Sequence, residues 1–220
     1  MSKAKSFPKK EKLVEFFEEE MAKLRGHFSE VEYERRLETG RRNLAAYYEQ
    51  YRQSWSKKVR VELTIRHAEV DGVPITGTID RIDLLDDMKA RVLDYKTGKP
   101  KTKKLRNAVK MPPHGGSYWR QLVFYKLLYE STERSSRRMT EGVISWLEPN
   151  SRGDFTDEHI EVSVQDAGFL RELLRETYAK IMAHEFYEGC GEADCPWCDF
   201  VQRNVARDSF AAAEVEELDD

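Results

Sequence analysis

No apolar stretch in these 220 residues approaches the roughly 20 that a membrane-spanning helix needs. The basic N-terminus, MSKAKSFPKKEK, is not followed by the apolar run of a signal peptide, so a cytoplasmic location is expected. Internal repeats are absent. An excess of positive charge is lacking too: 37 Lys and Arg stand against 40 Asp and Glu, a net charge of −3, so the chain is not basic throughout. Cysteine is scarce. All three, Cys190, Cys195 and Cys198, fall in one short segment, and an odd, clustered set argues against a disulfide framework and for metal ligation.

What is present fits one domain with a real core, or a domain plus an extension. The near-neutral average hides segregated charge. Lys96, Lys99, Lys101, Lys103, Lys104, Arg106 and Lys110 form a local basic patch, whereas the C-terminal AEVEELDD is acidic. Such a patch can supply phosphate contacts to DNA whatever the net charge.

Leu13, Phe16, Phe17, Met21 and Leu24 repeat at helical spacing, as do Leu44, Tyr47, Tyr48 and Tyr51. From Lys58 the period changes to two, with Val59, Val61, Leu63 and Ile65 alternating with polar residues, which predicts a strand. Asp71-Gly72 reads as a hairpin turn into a second strand through Ile75 to Ile82, and Arg91 to Tyr95 as a third strand ending at Thr97-Gly98. The Lys- and Pro-rich loop through Pro112-Pro113 and Gly115-Gly116 has the length and composition of the most mobile segment. A helix is expected over Tyr118–Tyr129, strands over Gly142–Leu147 and His159–Val164, and a long amphipathic helix from Phe169 to Met182. This order predicts an α/β fold: a small mixed central sheet flanked by helices, with an N-terminal helical extension.

Asp80 ends one predicted strand and Asp94 lies near the end of the next, so in neighbouring strands both carboxylates can converge on a divalent cation. Asp94 and Lys96, two apart on a strand, share a face. That places an ammonium where it can orient a water and stabilise developing negative charge. Tyr95 points to the opposite face, and its backbone carbonyl is a further candidate ligand; Glu62 on the preceding strand is a candidate ligand or water-positioning group. An Asp-x-Lys alone is most often a solvated ion pair. The weight lies in the combination of Gly-x-x-Asp (77–80) with Leu-Asp-Tyr-Lys-Thr-Gly (93–98).

That combination resembles the PD-(D/E)XK nuclease superfamily in its RecB-like branch, with AddB-type helicase–nucleases and CRISPR-associated exonucleases as relatives. GTID (77–80) corresponds to the second motif and LDYK (93–96) to the third. Glu62 in RVE matches an acidic residue near the first strands, and Gln121 and Tyr125 in YWRQLVFY match the branch's Gln-x-x-x-Tyr helix. The resemblance implies a restriction-endonuclease-like core and Mg2+- or Mn2+-dependent DNA hydrolysis. Asp80, Asp94 and the Tyr95 carbonyl would hold the cation, Lys96 would be catalytic, and Gln121 and Tyr125 would line the DNA side. Lys99, Lys101, Lys103 and Lys104 are the expected DNA-binding cations. An exonuclease acting with a helicase in DNA repair or recombination is the implied role; a non-catalytic DNA-binding or scaffold module on the same fold is the alternative.

Three thiolates at Cys-x4-Cys-x2-Cys spacing select zinc or an iron–sulfur cluster, and zinc would make the chain an interaction domain built around the cysteines. The resemblance favours a [4Fe–4S] cluster, whose fourth, upstream cysteine this chain lacks. The branch's Gly-x-x-x-His helix motif is also missing, His27 lying in a different context, KLRGHFSE. Both gaps are expected of a C-terminal nuclease fragment of a larger helicase–nuclease, with a helicase domain or subunit upstream; a complete domain that has lost its cluster is the alternative. The expected organisation is a helical segment over 1–56 packing on the core, a nuclease core with its cysteine loop over 57–205, and a mobile acidic tail over 206–220.

Overall fold

Three β-strands in the first half of the chain build the platform for the site. β1 (Val59–Val70) and β2 (Val73–Leu84) are joined by Asp71-Gly72. Both turn residues have positive φ, 52° and 81°, the backbone that a two-residue hairpin turn of the right twist requires. β3 (Lys89–Lys96) returns antiparallel to β2, with Arg81 opposite Leu93. β4 (Arg138–Trp146) then runs parallel to β3, placing Ile144 beside Asp94, and β5 (Asp157–Glu161) pairs antiparallel with β4. The result is a mixed five-stranded sheet in the order β1-β2-β3-β4-β5. This is a computed structural model; it describes residues 7–132, 136–185, 190, 194–201 and 203. The acidic tail expected over 206–220 lies outside the described residues.

Helices cover both faces, and alternation along β4 shows how. Ile144 and Trp146 point one way and Ser145 the other. Towards Trp146 lies α3 (Ser117–Glu130), whose Tyr118 ring meets the Trp146 ring at 5.6 Å. Two glycines let this helix approach closely. A Cβ at Gly77 would stand 2.9 Å from Leu128, and one at Gly142 would stand 3.0 Å from Leu122. Leu122 and Leu128 are fully buried, each stabilising the fold by about 1.5–3 kcal/mol relative to exposure.

Towards Ser145 lies α2 (Glu30–Tyr51). Tyr33, Leu37, Tyr47 and Tyr48 form its buried stripe, and the Tyr47 hydroxyl hydrogen-bonds Ser145 Oγ at 2.6 Å. α1 (Lys10–Lys23) packs on α2. A Cβ at Gly40 would fall 2.0 Å from the Phe17 ring. The described residues fall into two compact units, one drawn from Met1–Val70 and Pro74–Leu170, the other from Asp71–Val73 and Arg171–Asp220. The sheet's catalytic candidates belong to the first and the cysteines to the second.

Three local expectations shift. α2 begins at Glu30, well before Leu44, because Ser29 caps it by accepting from the Glu32 amide. β5 stops at Glu161 rather than Val164. Ser163 and Asp166 exchange capping hydrogen bonds, with each side chain accepting from the other's amide, and α4 (Val164–Met182) therefore starts at Val164. Val61 is 64% exposed instead of facing inward. Next to it Glu62 takes a left-handed φ of 49°, which breaks the alternation of faces.

Candidate active site

The β2–β3 ladder ends at Arg81 and Leu93, and beyond it the strands are linked through a side chain. The Tyr95 amide donates to Asp80 Oδ2 at 3.0 Å instead of to a ladder carbonyl. Asp80 is thereby fixed beside the next strand, and its charge is one cause that raises the pKa of Asp94. Asp94 is 2% exposed. Burial, first, holds its carboxyl above the ordinary carboxylate range, against the opposing pull of Lys96.

Four side chains from two elements close a ring. Lys96 Nζ lies 2.5 Å from Asp94 Oδ2 and donates to Gln121 Oε1 at 2.8 Å. Gln121 Nε2 donates to the Tyr125 hydroxyl at 3.0 Å, and that hydroxyl donates to Asp94 Oδ1 at 3.1 Å. One turn of α3 separates Gln121 from Tyr125, so both reach the strand from a single helix face. Burial and the neighbouring Asp94 charge push the Tyr125 hydroxyl up, which keeps it a neutral donor.

Asp94 Oδ2 is buried without a hydrogen-bond partner among the described residues, despite the ammonium 2.5 Å away. The contact is an ion pair, and a carboxylate oxygen has lone-pair capacity beyond one such contact. An unsatisfied carboxylate oxygen with a second carboxylate, Asp80, nearby is a donor set suited to a hard divalent cation. The residues present therefore fit such an ion.

The basic loop connects to this ring through an aromatic residue. Tyr118, one turn before Gln121, has Lys96 Nζ 5.1 Å and Lys104 Nζ 4.9 Å from its ring centroid. Two ammonium groups are thus held by one π system. The loop itself is folded back on α3: the Gly116 amide donates to Arg106 O at 2.7 Å and the Gly115 amide to Met111 O at 2.7 Å. Lys99, Lys101 and Lys103 are exposed on it, and Lys104 is half-buried.

Glu62 is exposed on β1, and His27 is exposed in a short 3-10 turn. Among the described residues only Cys190, Cys195 and Cys198 form a set of three or more possible ligands within 4.8 Å of one another; Glu62 does not join Asp80 and Asp94 in such a set. Tyr95 turns away from the ring, its hydroxyl accepting from Arg81 at 3.1 Å. In the second unit, the Cys190 and Cys198 sulfurs are 3.4 Å apart. The Cys198 amide, then the Cys190 thiol and the Trp197 amide, lower the Cys195 pKa, which favours the thiolate that metals bind. Tyr118 is the residue that sequence reasoning passed over; its place one turn before Gln121 was the available signal.

The family model of the PD-(D/E)XK nuclease superfamily matches residues 4–203. The chain belongs to the PD-(D/E)XK nuclease superfamily. The mixed sheet with helices on both faces is its restriction-endonuclease-like fold, preceded here by N-terminal helices. A solved structure of a presumed exonuclease from Eubacterium rectale is similar over 89% of this chain and 76% of that one, at 10% identity and a TM-score of 0.51. Such a likeness speaks to the fold of this PD-(D/E)XK chain alone. The structure of SSO0001 aligns over 74% of this chain and 70% of that one, at 15% identity and a TM-score of 0.38. No curated protein matches in sequence. No described helix is long and apolar enough to cross a membrane.

Proposed function

We propose that this PD-(D/E)XK chain hydrolyses phosphodiester bonds of DNA, with Asp80 and Asp94 holding Mg2+ or Mn2+ and Lys96 acting on the phosphate. The observation that carries this reading is the closed ring of Asp94, Lys96, Gln121 and Tyr125 around a buried carboxylate oxygen that lacks a hydrogen-bond partner. Structural salt bridges do not leave such an atom unsatisfied without cost. A divalent cation, when bound, neutralises phosphate charge and makes hydroxide available near neutral pH.

The chain's own groups do the rest. Asp80 and Asp94, whose charges act on one another, would each supply a carboxylate oxygen, and the Tyr95 carbonyl is proposed as an additional ligand. Lys96, steadied by Gln121 and Tyr118, donates to a non-bridging phosphate oxygen and stabilises charge as it develops. Tyr125 and Gln121 keep Asp94 and Lys96 in register and line the path of the strand. Lys99, Lys101, Lys103 and Lys104 contact backbone phosphates. Glu62 is proposed as a water-positioning group only if DNA brings β1 closer.

Within this reading we assign the chain to the RecB-like branch, as an exonuclease that works beside a helicase in repair or recombination, on the Gln121–Tyr125 pair and the cysteine cluster. The three cysteines would hold a [4Fe–4S] cluster whose fourth ligand lies outside this chain. Purified chain should degrade linear DNA in Mg2+ or Mn2+, stop in excess chelator, and spare closed circular DNA. Absence of metal-dependent cleavage of any DNA would overturn the nuclease reading; cleavage of closed circles would overturn the exonuclease assignment.

A further inference from the structure

We propose that the cleft between α1, α2 and the end of β3 binds one unpaired nucleotide of the strand being cut, with Asn43 contacting its base. This rests on the nuclease reading and names the form of DNA that the site takes.

The cleft has a volume of about 650 Å³, within the range of small-molecule sites and far too small for a duplex. Phe17, Phe28, Arg35, Arg36, Asn43 and Thr97 line it. Asn43 is 7% exposed, and its side chain has no hydrogen-bond partner among the described residues. A carboxamide offers two donors and an acceptor, and no polar atom of Asn43 is sealed from solvent, so a ligand entering the cleft can replace water at them. Its position in the wall presents that capacity to whatever enters the cleft.

The remaining chemistry suits a nucleotide. Phe17 and Phe28 supply aromatic surface for a base to stack on. The Arg36 guanidinium lies 5.2 Å from the Phe28 ring centroid, so stacking surface and phosphate-binding charge are adjacent. Arg35 adds a second exposed cation, and Glu148 on the same wall supplies an acceptor. Phe17 lies directly against the α2 backbone at Gly40, which fixes the floor of the cleft.

Thr97 sets the direction. It follows Lys96 in the chain, and the Lys96 carbonyl accepts from Leu147, also in the cleft wall. The occupant therefore sits on the α2 side of the sheet, at the end of the strand whose other face carries the proposed catalytic lysine. A base inside a duplex is stacked and has its pairing edge occupied; an unpaired one can offer that edge to the Asn43 amide. Single-stranded ends are thus the substrate form that the cleft selects.

The test uses the full chain, in chelator, with single-stranded oligonucleotides carrying 2-aminopurine at successive positions from one end. One position should change fluorescence on binding, and Asn43→Leu and Arg36→Ala should each abolish that change and raise the Kd about tenfold. Arg36 is exposed, so its variant carries the test should Asn43→Leu fold poorly. Cleavage of DNA in Mg2+ by the wild-type chain, together with variants that keep wild-type Kd and fluorescence, overturns the cleft proposal and leaves the nuclease reading standing. Absence of both binding and cleavage in the wild-type chain overturns the two together.

Discussion

Replacing Tyr125 by Phe removes one oxygen from the centre of the ring and should cost stability in a pH-dependent way. The hydroxyl donates to Asp94 Oδ1 at 3.1 Å and accepts from Gln121 at 3.0 Å. Tyr125 is 7% exposed and Asp94 2%, so water cannot easily take its place. A hydrogen bond to a charged group contributes about 1.5–3 kcal/mol; a loss of about 2 kcal/mol lowers Tm by roughly 4–8 °C for a chain of this size. The sign with pH follows from linkage. Burial already raises the folded-state pKa of Asp94, and the Tyr125 bond pulls it down, so Tyr125→Phe raises it further. The ionised carboxylate therefore costs more in the variant at every pH above the two folded-state values. As pH falls through them, both proteins take up the proton and the gap shrinks. Thermal melts of the two proteins from pH 8 down to pH 4 should show a difference that is largest at the alkaline end. A difference independent of pH, or a variant as stable as the wild type at pH 8, would refute the assignment of that bond to an ionised, buried Asp94.

Neutralising Lys101, Lys103 and Lys104 to Gln should weaken DNA binding and reduce the slope of log Kd against log salt by up to about 2–3, at roughly 0.7–0.9 for each phosphate no longer neutralised. An unaltered slope would remove these lysines from the DNA path. Gly116→Ala should destabilise the chain by about 1–3 kcal/mol, because its Cβ would lie 2.1 Å from the Lys104 carbonyl; a Tm within a degree of wild type would contradict that packing. The same substitution should weaken DNA binding by displacing Lys104, and a binding curve superimposable on wild type would argue against that link. Cys195→Ser should deplete bound iron or zinc in the purified chain, measured by elemental analysis, and unchanged metal content would exclude Cys195 as a ligand.

Much of the site was legible because it is local in sequence. Asp94 and Lys96 share a face by strand alternation, and Gln121 and Tyr125 by helical periodicity, so each pair could be placed without a fold. Their closure into one ring was not legible, since it joins residues 25 and 31 positions apart through the packing of α3 on β3. The role of Tyr118 was hidden for the same reason: its two cations come from a strand and a loop. Among the elements, hydrophobic period located every strand and the major helices. The boundaries moved where side chains compete with that period, as Ser163 and Asp166 do in claiming Val164 for a helix. The Ser29–Glu32 cap was available in the sequence and marks the true start of α2. Left-handed backbone at Glu62 has no comparable signature, because nothing in a glutamate announces a positive φ.

Asp94 and Lys96 are proposed as the working core of a metal-dependent DNA nuclease. Single-turnover cleavage of an end-labelled single-stranded oligonucleotide in Mg2+ tests that proposal most directly, comparing wild type with Asp94→Ala and Lys96→Ala proteins of matched circular dichroism. Cleavage by the wild type and loss of at least a hundredfold in rate in both folded variants is the predicted result. Variants that cut at the wild-type rate would exclude Asp94 and Lys96 from the chemistry.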